Sequence, residues 1–182
     1  MFDDDLHFYV RKAKDDWHLR YCEQSDVENM LMDVMDELSE ECPVVGISAR
    51  EGNNNVRDTL WTQNTRIMRA TAFHVPTVVK TAQYRSEVNG IEDFDLLLQM
   101  LRAGYDNKCS YFYAQGHKSA NEPGGCSNWR TNETHAVAAQ RLAELHPGFV
   151  KLRVQNNKTG GEFGKRVECT IYWKKARKSA GV

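Results

Sequence analysis

Apolar residues along this chain fall into three helical stretches set among shorter runs of strand character. Ser25-Asp26-Val27-Glu28 has the form of a capping box. Behind it Val27, Met30, Leu31, Val34, Met35 and Leu38 recur at helical spacing, predicting an amphipathic helix over 26–41 whose methionines fill the core. A second helix opens on Glu92-Asp93-Phe94-Asp95, continues through Leu97, Leu98 and Leu101, and closes at Gly104 with a C-cap signal. A third covers roughly 132–145 and stops at His146-Pro147-Gly148.

Strands are expected between these helices. Leu6–Val10 and Pro43–Ser48 flank the first helix, and strand–helix–strand is the unit of a parallel sheet. Residues 66–74 and 77–84 read as strands around Pro76, and Cys109–Gln115 as another. Phe149–Val154 and Val167–Trp173 form a last pair, the latter with Val167, Cys169, Ile171 and Trp173 on one face. The stretches 11–24, 51–58 and 116–130 read as polar loops, and 174–182 as a basic tail. The pattern predicts one α/β domain over 1–173.

The chain has 182 residues, enough for one domain with a real core, and its 41% hydrophobic content is that of an ordinary globular protein. No apolar run reaches membrane-span length and no signal-peptide pattern opens the chain, so a soluble, cytoplasmic protein without a membrane partner is expected. Five cysteines, widely spaced and without a CxxC pair, suggest neither a disulfide framework nor a cysteine zinc site.

Charge changes the picture. Residues 1–60 carry 15 acidic against 6 basic side chains, a balance of −9, whereas 61–182 carry 10 against 18, a balance of +8. An acidic pole beside a basic one suits a metal site next to a polyanion-binding surface, although solvated faces of opposite sign give the same counts.

Three constellations carry candidate chemistry. Asp3, Asp4 and Asp5 stand at the mouth of the first strand, where adjacent carboxylates repel unless a hard divalent cation such as Mg²⁺ or Mn²⁺ binds them. A solvated acidic cap is the plain alternative. Glu92 and Asp93 head a helix, where the macrodipole alone stabilises acids by about 0.3–1 kcal/mol; a general base on a rigid element is the functional alternative. In the loop GHKSANEPGGCSNWR (116–130), His117 is a candidate metal or phosphate ligand. Lys118 and Arg130 would neutralise a diphosphate, and Gly124 and Gly125 would let backbone N–H groups approach it. P-loop, GxSxG and HExxH patterns are missing from the sequence.

Together, the acidic triplet, the IEDFDLLLQMLRAGY stretch (91–105) and the later His loop resemble nucleotide-sugar glycosyltransferases of the GT-A fold. More narrowly, DDDLHFYVR, EDFDLLLQMLRAGYDN and GGCSNWRTNE followed by LAELHPGFVKLR are similar to the phage-rich TET-associated glycosyltransferases, over most of residues 1–155. The resemblance implies a metal-dependent enzyme with a nucleotide-sugar donor and hydroxymethylated pyrimidine in DNA as acceptor. It implies Asp3, Asp5 and His117 around Mn²⁺ or Mg²⁺, Asp93 or else Glu92 as the base, and Asp3, Lys118, Gly124, Gly125 and Arg130 around the donor. Lys174, Lys175, Arg177 and Lys178 would hold DNA phosphates, or else belong to a solubilising end. The implied fold is a partial GT-A-like, Rossmann-like mixed sheet flanked by helices, lacking the N-terminal nucleotide-binding half, since only two residues precede the triplet. A second chain supplying that half is a further expected partner. Two other readings stay open: a glycosyltransferase for a protein or small molecule, and a non-catalytic DNA-binding or assembly module.

Overall fold

The structure is a computed structural model that describes residues 1, 5–53, 55–117, 131–156 and 165–181. Asp3, Asp4, Lys118, Gly124, Gly125 and Arg130 lie outside the described residues, as does the side chain of His117.

The strands are β1 (Leu6–Ala13), β2 (Asp16–Tyr21), β3 (Val44–Ala49), β4 (Trp61–Gln63), β5 (Thr71–Phe73), β6 (Asn107–His117), β7 (Val150–Asn156) and β8 (Lys165–Ile171). The helices are α1 (Gln24–Glu37), α2 (Arg50–Asn53), α3 (Val75–Thr81), α4 (Glu92–Arg102), α5 (Asn132–Leu145) and α6 (Trp173–Lys178). Six strands form one mixed sheet in the order β2-β1-β6-β3-β5, with β4 also on β6, while β7 and β8 pair separately. This is the mixed α/β sheet flanked by helices that the sequence predicts.

Its wiring differs from a simple parallel unit. β3 and β6 run parallel, but β1 is antiparallel to β6 and to β2. The parallel partner that precedes α1 is therefore β2, not Leu6–Val10. The stretch 11–24, expected as a polar loop, instead turns at Lys14-Asp15 and returns as the edge strand β2. β6 bulges where Ile47 pairs with Ser110 and Ser48 already pairs with Ala114. That slip changes which face its side chains reach: Cys109 packs towards α4, Tyr113 towards α1.

Packing follows the predicted periodicities with instructive exceptions. On α1, Met30 and Val34 are buried, but Leu31, Met32 and Met35 are exposed, so only part of the methionine set fills the core. The capping box sits two residues early, with Asp26 Oδ2 accepting the Glu23 N–H at 2.8 Å. Residues 77–84, expected as a strand, lie largely in α3. Pro76 falls in its first turn, where a missing N–H costs nothing, and Thr77 and Val78 face inward while Val75 and Val79 face water. Of the polar stretch 51–58, Glu51–Asn53 belongs to α2, and Asn53 is buried with its amide donating to Ser48 Oγ and the Tyr111 carbonyl, each at 2.8 Å. The expected strand 66–74 shrinks to β5, because Arg69 has φ 65° and breaks the extended run.

The second predicted helix is α4, with Leu96, Leu97, Leu98 and Leu101 buried and Gly104 at φ 97° ending it. The third is α5, its first turn closed by Thr131 and Thr134. The basic tail is not a free end: Trp173–Lys178 is helical, Ala176 is fully buried against the α4–α5 core, and Arg177 Nε pairs with Asp106 Oδ1 at 2.8 Å. Among the described residues no helix is long and apolar enough to cross a membrane.

Candidate active site

The carboxyl ends of β3 and β6 gather two of the sequence's candidate features, the acidic triplet's last member and the strand end at His117. Because β1 is antiparallel to β6, with Leu6 opposite His117 and His7 opposite Gly116, the start of β1 lies beside the end of β6. The acidic triplet precedes its strand in sequence, yet the antiparallel register carries its last member, Asp5, to the edge where open α/β sheets bind ligands. Asp5 itself is exposed. Arg50, first residue after β3, stacks its guanidinium 4.7 Å from the centre of the Tyr9 ring at the same end. Among the described residues no group of three or more His, Cys, Asp or Glu side chains is arranged to hold a metal ion; of the expected set, only the Asp5 side chain is described.

Asp93 stands at the head of α4 in a half-buried position. Burial, opposed by the Arg66 guanidinium and by the N–H of Phe94, pushes its carboxyl up to about 6. Glu92 is engaged differently, since its Oε2 accepts the Gly90 N–H at 2.6 Å and closes the turn that starts the helix. Arg66 lays its guanidinium over the Phe94 ring at 4.4 Å. Farther along the same surface, His135 Nε2 of α5 lies 3.8 Å from Glu168 Oε2 of β8, and Glu168 also acts electrostatically on Arg66. Of the two acids expected as bases, Asp93 sits where burial moves its carboxyl towards neutral pH, and Glu92 is engaged in the turn.

The segment 66–69 joins the two places. Arg66 faces Asp93, while the Met68 carbonyl accepts from Gln115 Nε2 at 3.4 Å, and Gln115 pairs across β6 with Phe8 and Ala49. Gln115 is fully buried, and its Oε1 has no hydrogen-bond partner among the described residues, nor does one guanidinium nitrogen of Arg69. Arg11 Nε, Asn53 Oδ1 and Ser110 Oγ are likewise buried without a hydrogen-bond partner among the described residues, so these two atoms do not by themselves mark a ligand contact. Neither carries a signal in the sequence: 66–74 looks like a strand, in which Arg69 is merely a polar face, and Gln115 looks like an ordinary strand residue.

Asp95, in the same first turn of α4, is fully buried. Its Oδ1 meets His146 Nε2 at 2.7 Å and Arg85 at 3.4 Å, and its Oδ2 accepts from Gln99 Nε2 at 2.8 Å. Arg102, which has only donors, lies 3.0 Å from His146 Nδ1. Nδ1 is therefore the acceptor, and the Nε2–H donates to Asp95 Oδ1. This network ties the first turn of α4 to the end of α5 and fixes the helix that presents Asp93.

Burial makes the described cysteines weak nucleophiles. All four are free, and burial pushes the thiols of Cys22, Cys42 and Cys169 to about 11 and Cys109 to about 12, leaving almost no thiolate at neutral pH.

Comparison with curated proteins and with solved structures finds no match. A family model described as TET-Associated Glycosyltransferase matches residues 1–125, a span that takes in the start of β1, the 66–69 segment, α4 and β6 but stops before Arg130 and α5. Covering well over half of the chain, that match shows that the chain belongs to the TET-associated glycosyltransferase family.

Proposed function

We propose that this glycosyltransferase moves a sugar from a nucleotide-sugar donor to the hydroxymethyl group of a modified pyrimidine in DNA, with Asp93 as the proton acceptor. The observation that carries the reading is a carboxylate at a rigid helix head whose pKa of about 6 suits a base working near neutral pH. The acceptor O–H proton passes to the Asp93 carboxylate as the acceptor oxygen forms a bond to the anomeric carbon. The bond from that carbon to the diphosphate oxygen breaks, and the nucleoside diphosphate leaves with the electron pair. Lys118, Arg130 and the backbone around Gly124 and Gly125 support the negative charge that develops there.

Two carboxylates and an imidazole are donors that Mn²⁺ accepts readily and Mg²⁺ through its carboxylates, and Asp3, Asp5 and His117 would hold such an ion; the β1–β6 register, which pairs Leu6 with His117, supports the last two as neighbours. A bound divalent cation supplies charge neutralisation for the leaving diphosphate. The combined substitutions Asp3→Ala and Asp5→Ala are expected to weaken Mn²⁺ binding, followed by calorimetric titration, at least about tenfold. Wild-type affinity in that variant removes both residues from the proposed ligand set.

The reading is tested by incubating the protein with radiolabelled nucleotide sugars and either hydroxymethylated or ordinary DNA. Label is expected in the hydroxymethylated polymer alone. Equal labelling of ordinary DNA contradicts the acceptor, and labelling of neither contradicts the proposed transfer.

A further inference from the structure

The opposite end of the sheet carries a cleft that the transfer chemistry does not use. It has a volume of about 600 Å³ and lies between β4, the start of β6 and the outer face of α6. Lys108, the second residue of β6, pairs with Val45, and Gln115 near the other end pairs with Ala49, four residues on; with two further residues to His117, this cleft lies roughly 20 Å from the β1–β6 edge.

The lining is cationic with one aromatic wall. Lys108, Lys174, Arg177 and Lys178 border the cleft against the single carboxylate of Glu37, and Trp61 and Gln63 form the β4 side. Lys174, Arg177 and Lys178 stand at i, i+3 and i+4 on α6, one face of the helix, because Ala176 anchors the opposite face in the core. Lys108 is held by Glu37 and Arg177 by Asp106. Lys174 and Lys178 have no ion-pair partner among the described residues and are exposed. Two uncommitted ammonium groups beside a partly exposed indole match a phosphodiester chain with an unstacked base. The volume is that of a small-ligand pocket, suited to one or two unpaired nucleotides and too narrow for a duplex.

We propose that this cleft is a second attachment site for DNA, holding a single-stranded stretch with one base against Trp61 and its phosphates on Lys174 and Lys178, remote from the site of transfer. The choice of DNA rests on the acceptor proposed above. Such a site keeps the polymer attached while its hydroxymethyl groups are presented elsewhere on the protein, raising their effective concentration.

The test is fluorescence anisotropy with a labelled single-stranded thymidine oligonucleotide, which carries no hydroxymethyl group, titrated at several salt concentrations. The combined substitutions Lys174→Gln and Lys178→Gln are expected to weaken binding about tenfold or more at low salt. They should also flatten the slope of log K against log salt by about 1.4, two phosphate contacts at ~0.7 each. Trp61→Ala should weaken binding roughly fivefold or more, and Trp61→Phe should recover most of it. Wild-type affinity and slope in the lysine variant overturn the proposal, as does tighter binding of a duplex than of the single strand. A protein that binds the oligonucleotide through these residues but labels no hydroxymethylated DNA upholds the cleft and overturns the transfer reading. One that labels such DNA while the lysine variant binds as wild type does overturns the cleft alone.

Discussion

Asp93→Asn is expected to cut the rate of sugar transfer about 10²–10⁴-fold while leaving the fold intact, the loss typical of removing a positioned general base. The amide keeps the shape of the carboxylate but accepts no proton. Glu92→Gln should cost far less, because Glu92 is engaged in closing the turn at Gly90 and its amide still offers an oxygen to that N–H. Asp93 also predicts a pH signature in stability, independent of any activity. Its carboxyl titrates at about 6 in the folded protein against an ordinary value of 3.8. Between about 4 and about 6 the folded state holds a proton that the unfolded chain has released, so this group makes stability fall as pH rises through that window. Urea midpoints across the window should show that fall in the wild type and lose it in Asp93→Asn. An unchanged slope in the variant would assign the titration to another group.

Asp95→Ala should be the most damaging single change to the fold near the site, about 3–5 kcal/mol by chemical denaturation. The carboxylate is fully buried, and its removal strands the His146 N–H, the Gln99 amide and the Arg85 guanidinium without their shared acceptor. Asp95→Asn, which retains one acceptor oxygen, should cost distinctly less. A loss below about 1 kcal/mol for the alanine variant would mean that the network is not what secures α4 to the end of α5.

How far the sequence revealed this arrangement depended on the physical origin of each feature. Helices whose apolar stripe faces a core were legible to within a few residues: α4 and α5 carry both periodicity and end signals, from Glu92 to Gly104 and from Thr131 to His146. Features set by tertiary pairing were not. β2 alternates Trp17, Leu19 and Tyr21 after a Lys14-Asp15 turn, a hairpin signal masked by its charged neighbours. α3 hid behind a β-branched run around Pro76, whose place in a first turn depends on where His74 sits. The site divides in the same way. Asp93 was visible as an acid at a helix head, whereas the contacts of Arg66 with Phe94 and of Gln115 with the Met68 carbonyl arise from an irregular segment passing over β6, which no local pattern encodes. Asp95 and His146 are 51 residues apart, and only the packing of α4 on α5 makes them partners. The antiparallel turn of β1, too, is what brings Asp5 to the carboxyl end of the parallel pair.

The claim that Asp93 accepts the proton of the attacking hydroxyl is tested most directly by the pH dependence of single-turnover transfer to hydroxymethylated DNA, followed by mass spectrometry of the product. The rate should fall on the acid side with an apparent pKa of about 6, the value that burial beside Arg66 gives the carboxyl, and Asp93→Asn should abolish that limb. A wild-type profile that is flat from mildly acidic to neutral pH, or an acid limb that persists in Asp93→Asn, would contradict the account.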